Sequence, residues 1–164
     1  MTTADPPIHV KPAVRPPREL VQSTSFLLKR LGWEVRDRVH DGYEAAGASP
    51  FHFTVLAVLD EGARETQATI ADALGYDRSY LVGLLDELEE RELIERKRDP
   101  ADRRRHLVNL TPAGKKTLAK LRALQASIDD DFFASLSADE RATLHTLLHR
   151  LATYHDPRFG NGHS

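Results

Sequence analysis

Residues 66–110 read TQATIADALGYDRSYLVGLLDELEERELIERKRDPADRRRHLVNL, and the signals in this run decide the fold. Thr66 offers a hydroxyl to cap a short helix, Gln67 to Ala73, which stops at Gly75. Asp77 caps a second helix, Arg78 to about Arg91, with Leu81, Leu84, Leu85 and Leu88 as its buried stripe. A short helix, a turn containing glycine and a longer helix in series form a helix-turn-helix. Leu93 to Arg98 and Arg105 to Leu110 then alternate as strands do, with Ile94, Arg96 and Arg98 on one and His106, Val108 and Leu110 on the other. Asp99-Pro100-Ala101-Asp102 is the turn between them. A helix-turn-helix followed at once by a basic hairpin is a winged helix.

The hairpin concentrates positive charge: Arg96, Lys97, Arg98, Arg103, Arg104 and Arg105 face only Asp99 and Asp102. Arginines at the tip of a two-stranded loop fit a minor groove, whose narrow stretches focus negative potential. Arg78, Ser79 and Tyr80, opening the longer helix, are placed to meet base edges and phosphates in the major groove. Thr66 and Gln67 at the start of the shorter helix complete the candidate DNA-binding set, with Arg96, Arg98, Asp102, Arg103, Arg104 and Arg105. An arginine run alone is more often a solvated face. The helix pair before it shifts the balance.

Outward from this lobe, taken as residues 49–111, Gly47-Ala48-Ser49-Pro50 is a break and restart, with Ser49 as N-cap. The helix from Pro50 to Asp60 carries Phe51, Val55, Val58 and Leu59. Upstream, residues 18–48 read as one long helix, Arg18 to about Ala46, with Leu20, Leu27, Leu31, Val35 and Val39 along a face. Residues 1–17 hold five prolines and read as an extended tail. Downstream, residues 112–155 read as two helices. Thr111-Pro112 starts one bearing Leu118, Leu121, Leu124, Ile128 and Phe132, and a capping box, Ser137 to Glu140, starts one bearing Leu144, Leu147, Leu148 and Leu151. Residues 156–164 read as a flexible tail. The fold class is thus mostly α with a small β-hairpin wing, a winged helix-turn-helix flanked by dimerisation helices. Those long flanking helices have no task in binding one half-site. Paired by a two-fold axis they set two recognition helices about one DNA turn apart, so a homodimer on a pseudo-palindromic operator is expected.

Leu74-Gly75, the run Leu85 to Arg96, Asp99 to Arg105, and Val108-Asn109-Leu110-Thr111-Pro112-Ala113-Gly114 together resemble the multiple-antibiotic-resistance regulator (MarR) family of bacterial transcription factors. The resemblance covers roughly residues 20 to 154. It implies a homodimer in which the first helix and the last two form the interface, with Arg104 reaching into the minor groove. It further implies that Asp102 holds Arg104 by an ion pair while Arg103 and Arg105 support it at phosphates. Glu92 departs from the pattern, since the family often has glycine at that helix end.

Two polar clusters remain. Trp33, Arg36, His40 and Tyr43 share a face of the first helix, and His52 and Phe53 start the second. An indole, a guanidinium and an imidazole suit a small aromatic acid or phenol, with paired donors for a carboxylate. The family resemblance puts effectors between the dimer helices and the DNA-binding lobe, where these six residues are expected to lie. A dimer interface with snorkelling charges is the plainer reading of the same face. His145 and His149 stand at i and i+4, with His155 near, a spacing able to bind zinc. With no convincing third ligand they read as an exposed helix face, and no metal and no cofactor is expected. A metal-responsive regulator of the same fold, or a winged helix that binds protein and not DNA, are the alternatives.

Composition closes other routes. The 164 residues include no cysteine, which excludes disulfides, thiolate metal sites and thiol redox switches. The longest apolar run, Val55 to Leu59, is far short of the roughly 20 residues of a membrane helix, and the start of the chain lacks signal-peptide character, so a cytoplasmic protein with no membrane partner is expected. Ala113-Gly114-Lys115-Lys116-Thr117 lacks the first glycine and the Lys-Ser/Thr step of a phosphate loop. Asp129, Asp130 and Asp131 are adjacent and so point apart on a helix. No catalytic set emerges. The formal net charge of −2 argues against a uniformly basic surface, yet its distribution gathers positive charge in the wing.

Overall fold

The computed structural model describes residues 15–62 and 65–160. The chain forms two compact units, residues 1–37 and 38–164. The proline-rich stretch lies outside the described residues up to position 14, and residues 15–17 carry no regular structure.

The expected single N-terminal helix is two: α1 (Arg18–Val21) and α2 (Thr24–Ala45). Ser23 causes the break, because its Oγ accepts the Phe26 N–H at 3.3 Å and so restarts the helix as a cap would. In the first unit Leu20, Val21, Leu27, Leu28 and Leu31 are all exposed.

In the second unit, α3 (Pro50–Glu61) starts at a reciprocal cap: Ser49 Oγ accepts from His52 N, and His52 Nδ1 accepts from Ser49 N. Here histidine takes the place usual for Glu or Gln. A two-residue strand, β1 (Glu65–Thr66), precedes α4 (Gln67–Leu74), and α4 ends at Gly75, whose φ of +67° suits a residue without Cβ. Next come α5 (Arg78–Glu90), β2 (Ile94–Arg98), β3 (His106–Leu110), α6 (Pro112–Phe132) and α7 (Ala138–His155). The antiparallel sheet has the order β1-β3-β2. Ile94 pairs with Leu110, Arg96 with Val108 and Arg98 with His106. β1 was not anticipated, since two residues are too few to display a period.

The core gathers Val55, Leu56 and Leu59 of α3, Ile70 of α4, Leu81, Leu84, Leu85 and Leu88 of α5, Ile94 and Val108 of the sheet, and Leu118 and Leu121 of α6. The start of α6 is locked to the end of α5. Thr111 Oγ1 donates to Glu92 O at 2.7 Å and accepts from Gly114 N at 2.9 Å, while Thr111 N donates to Leu93 O. A Cβ on Gly114 would lie 2.0 Å from Leu93 O, so Leu-Thr-Pro-Ala-Gly needs its glycine for close approach. Glu92 sits at φ +57°, the left-handed region that glycine adopts more cheaply. At the other end, Pro157–Phe159, expected as tail, forms a 3-10 turn capped by Asp156. Its Arg158 guanidinium would lie 3.0 Å from a Cβ at Gly75. Residues 161–164 lie outside the described set. Among the described residues no helix is long and apolar enough to cross a membrane.

Candidate nucleic-acid interface

The N-terminus of α5 is built for presentation. Asp77 Oδ1 accepts the Ser79 and Tyr80 amides at 2.8 and 3.2 Å, fixing the first turn and leaving the side chains of Arg78, Ser79 and Tyr80 exposed. Tyr80 meets Phe51 and Tyr76 edge to face, with centroids 5.5 and 5.8 Å away, and Tyr76 Oη hydrogen-bonds Thr54 at 3.0 Å. Burial, with Tyr76 and Glu87 nearby, pushes the Tyr80 phenol up, so it stays a neutral donor. Gln67 is half-buried. Thr66, by contrast, is 7% exposed, with its hydroxyl accepting the Thr69 amide. That burial makes it a cap and takes it out of reach of a phosphate.

The wing separates its arginines into two kinds. Arg96 is pinned beneath the hairpin: its Nε donates to Glu89 at 2.9 Å, its terminal nitrogen to Asp86, and its backbone N–H to Glu89. With these donors taken by carboxylates, Arg96 ties β2 to α5 and is not a free contact. Arg98, Arg103, Arg104 and Arg105 stay exposed. The tip is self-supporting: Asp99, buried, donates its N–H to Arg105 O and accepts the Ala101 amide. Asp102 Oδ1 accepts both the Arg104 amide at 3.0 Å and its Nε at 3.3 Å, while the Arg104 side chain remains 91% exposed. The aspartate aims the arginine outward without burying it.

The residues named for an effector do not form one cluster within residues 38–164. Tyr43 is fully buried, its Oη donating to Gln125 Oε1 at 3.2 Å, and its ring lies 6.1 Å from that of Phe53. His40 is exposed beside Glu44. His52 is buried against α5, with Nε2 3.1 Å from Glu87 Oε2 and Nδ1 3.4 Å from an Arg91 nitrogen. In the other unit, Lys29 Nζ sits 4.5 Å above the Trp33 ring, and Arg36 pairs with Asp37 at 3.0 Å. Both the His52–Glu87–Arg91 grouping and the Asp86–Glu89–Arg96 strut were missed in the sequence. Only the Glu87/Arg91 spacing of four could have hinted at the first. His145 and His149 stack 6.0 Å apart, His155 lies against Tyr154, and no group of three or more potential ligands forms a metal cage among the described residues.

Comparisons with known proteins agree with this fold. A model of the MarR family matches residues 47–105. A putative transcriptional regulatory protein for the hcr operon of Thauera aromatica is 39% identical over 105 residues, which is 64% of this chain and 63% of that protein, so the match spans less than two thirds of the relative. The transcriptional repressor CouR, solved bound to a 23-mer DNA duplex, is 34% identical with a TM-score of 0.73, over 82% of this chain and 96% of that one. CouR from Rhodococcus jostii RHA1, solved with p-coumaroyl-CoA, gives 29% identity and a TM-score of 0.69 over 86% and 97%.

Proposed function

Because the chain belongs to the MarR family of transcriptional regulators, we propose that it binds a pseudo-palindromic operator as a homodimer and represses transcription until a small aromatic ligand releases it. The observation that carries this reading is Arg104, an almost wholly exposed guanidinium aimed by Asp102 at the tip of a docked wing. Arg104 enters a minor groove and Arg98, Arg103 and Arg105 meet phosphates, while Arg78, Ser79 and Tyr80 face the major groove with Gln67 at its edge. Thr66 and Arg96 act one step back, holding α4 and the wing in place.

The two-fold pairing is supported by apolar surface that the described residues leave exposed. No residue of α7 is buried, and Leu147, Leu148 and Leu151 are exposed, as are the leucines of residues 18–37. Patches of this kind mark association surfaces. Ligand release is supported by CouR, seen both with DNA and with p-coumaroyl-CoA. A ligand acts only as far as it prefers one spacing of the recognition helices over another. Of the effector residues within 38–164, Tyr43 and Phe53 are spent on packing and His40 is exposed beside Glu44, which leaves His52 as the ligand contact; His40, with Trp33 and Arg36, belongs to the dimer surface.

A gel shift with promoter DNA, wild type against Arg104→Ala, tests the reading. The wild type should shift the fragment and the variant should bind about tenfold or more weakly with an unchanged melting point. Equal binding by both, or none by either, removes the DNA-binding regulator.

A further inference from the structure

The start of α5 differs from its end. From Arg78 to Leu85 there is no acidic residue, whereas Asp86, Glu87, Glu89 and Glu90 follow at once. Carboxylates repel a phosphate backbone, so only the stretch from Arg78 to Leu85 is suited to lie deep in a groove. Within it Leu81, Leu84 and Leu85 turn into the core, while Arg78, Ser79, Tyr80, Val82 and Gly83 are exposed. Arg78, Ser79 and Tyr80 are the contacts placed above. Val82 and Gly83 weaken the helix without serving its packing. Val82 is 37% exposed and stands outside the core cluster, although a β-branched side chain is a poorer helix former than alanine or leucine. Glycine destabilises a helix interior still more, and a Cβ at Gly83 would meet nothing within 4 Å, so no close approach among the described residues calls for it. Ser79, Val82 and Gly83 stand at i, i+3 and i+4 and therefore share one face. Two local costs on the presented face of a DNA-binding helix point to what lies against that face.

We propose that Val82 and Gly83 set the base preference of α5: the Val82 methyls pack against the methyl group of a thymine in the major groove, and Gly83, having no side chain, lets the helix backbone close on the neighbouring base edges. Thymine is the one base that shows an apolar group there, and valine offers neither donor nor acceptor to the polar edges of adenine, guanine or cytosine. Burying a single methyl group against Val82 is worth about fourfold in affinity. Ser79, one turn earlier on the same face, keeps its hydroxyl for a polar edge beside the thymine. This base preference rests on the DNA-binding reading above and adds to it the base that α5 selects.

The test starts from a duplex that the full chain enriches out of a pool with a randomised centre. Each thymine of that duplex is then replaced in turn by deoxyuridine, which lacks only the methyl group. The wild type should lose about fourfold in affinity at one thymine or its symmetric copies, and Val82→Ala should bind the thymine and deoxyuridine duplexes alike there. The same variant should keep the wild-type affinity for a duplex of scrambled sequence, which a merely structural role for Val82 would not predict. Gly83→Leu should bind the selected duplex at least about tenfold more weakly. It should melt no lower than the wild type, because leucine is the better helix former and the free chain has room for a side chain there. Deoxyuridine tolerated at every position, a Val82→Ala chain that still senses the methyl group, or a Gly83→Leu chain that binds as wild type overturns the assignment. A chain that enriches no duplex overturns the regulator reading and this one together, whereas one that enriches duplexes but ignores the methyl group overturns the base preference alone.

Discussion

Two helices of the second unit carry the same leucine pattern and end differently. In α5, Leu81, Leu84, Leu85 and Leu88 are at most 8% exposed, enclosed by α3, α4 and the sheet. In α7, Leu147, Leu148 and Leu151 are 44, 38 and 51% exposed. Helical spacing of leucines therefore announces a face that has to be buried, and leaves open whether its own chain or another buries it. The lobe around α5 is complete by itself. The face of α7 is the part of the molecule that awaits a second copy under the proposed dimer.

The strongest blow to this contrast falls on α5. Leu85→Ala removes a fully buried side chain and should lower unfolding free energy by about 2–5 kcal/mol, independent of protein concentration. A loss below about 0.5 kcal/mol in urea titration would mean that the lobe is not packed as described. Leu151→Ala should do something different in kind. If α7 is dimer surface, each protomer loses about 1–2 kcal/mol of association energy, seen in sedimentation as a raised dimer dissociation constant. A wild-type chain that sediments as a monomer, or a variant that associates equally well, breaks the comparison by making α7 an ordinary solvent face. The smallest effect tests how α5 ends. Glu92→Gly relieves a left-handed residue, worth roughly 1–2 kcal/mol, at an entropic cost of about 0.5–1 kcal/mol. A net gain of about 0.5–1 kcal/mol in thermal or chemical unfolding is expected, and a loss would show that Glu92 makes a contact worth more than its strain.

Much of the lobe was readable residue by residue because its signals are local. Thr66, Asp77 and Thr111 cap the helices assigned to them, since a side-chain oxygen three positions from an orphan amide acts within one turn. The two strands followed from alternation, and they pair with Ile94, Arg96 and Arg98 opposite Leu110, Val108 and His106. The site was less legible. Arg96 and Arg104 are the same residue type eight positions apart on one basic hairpin, and no local rule separates them. Asp86 and Glu89 on another element do, by taking the donors of Arg96. The residues named for an effector separate for a related reason. A shared helix face placed Tyr43 beside His40, but Tyr43 reaches Gln125 and Phe53 in the core while His40 stays at the surface.

By itself, then, the sequence determined the hairpin, where each helix from α3 to α7 starts, and that positive charge gathers at the wing tip, because caps, periods and turns act over a few residues. Only the tertiary structure decided which arginine is a strut and which is free, that Thr66 is buried, and that His52 meets Glu87. Those outcomes depend on residues distant in sequence competing for the same donors and the same space, and one-dimensional spacing carries no record of that competition.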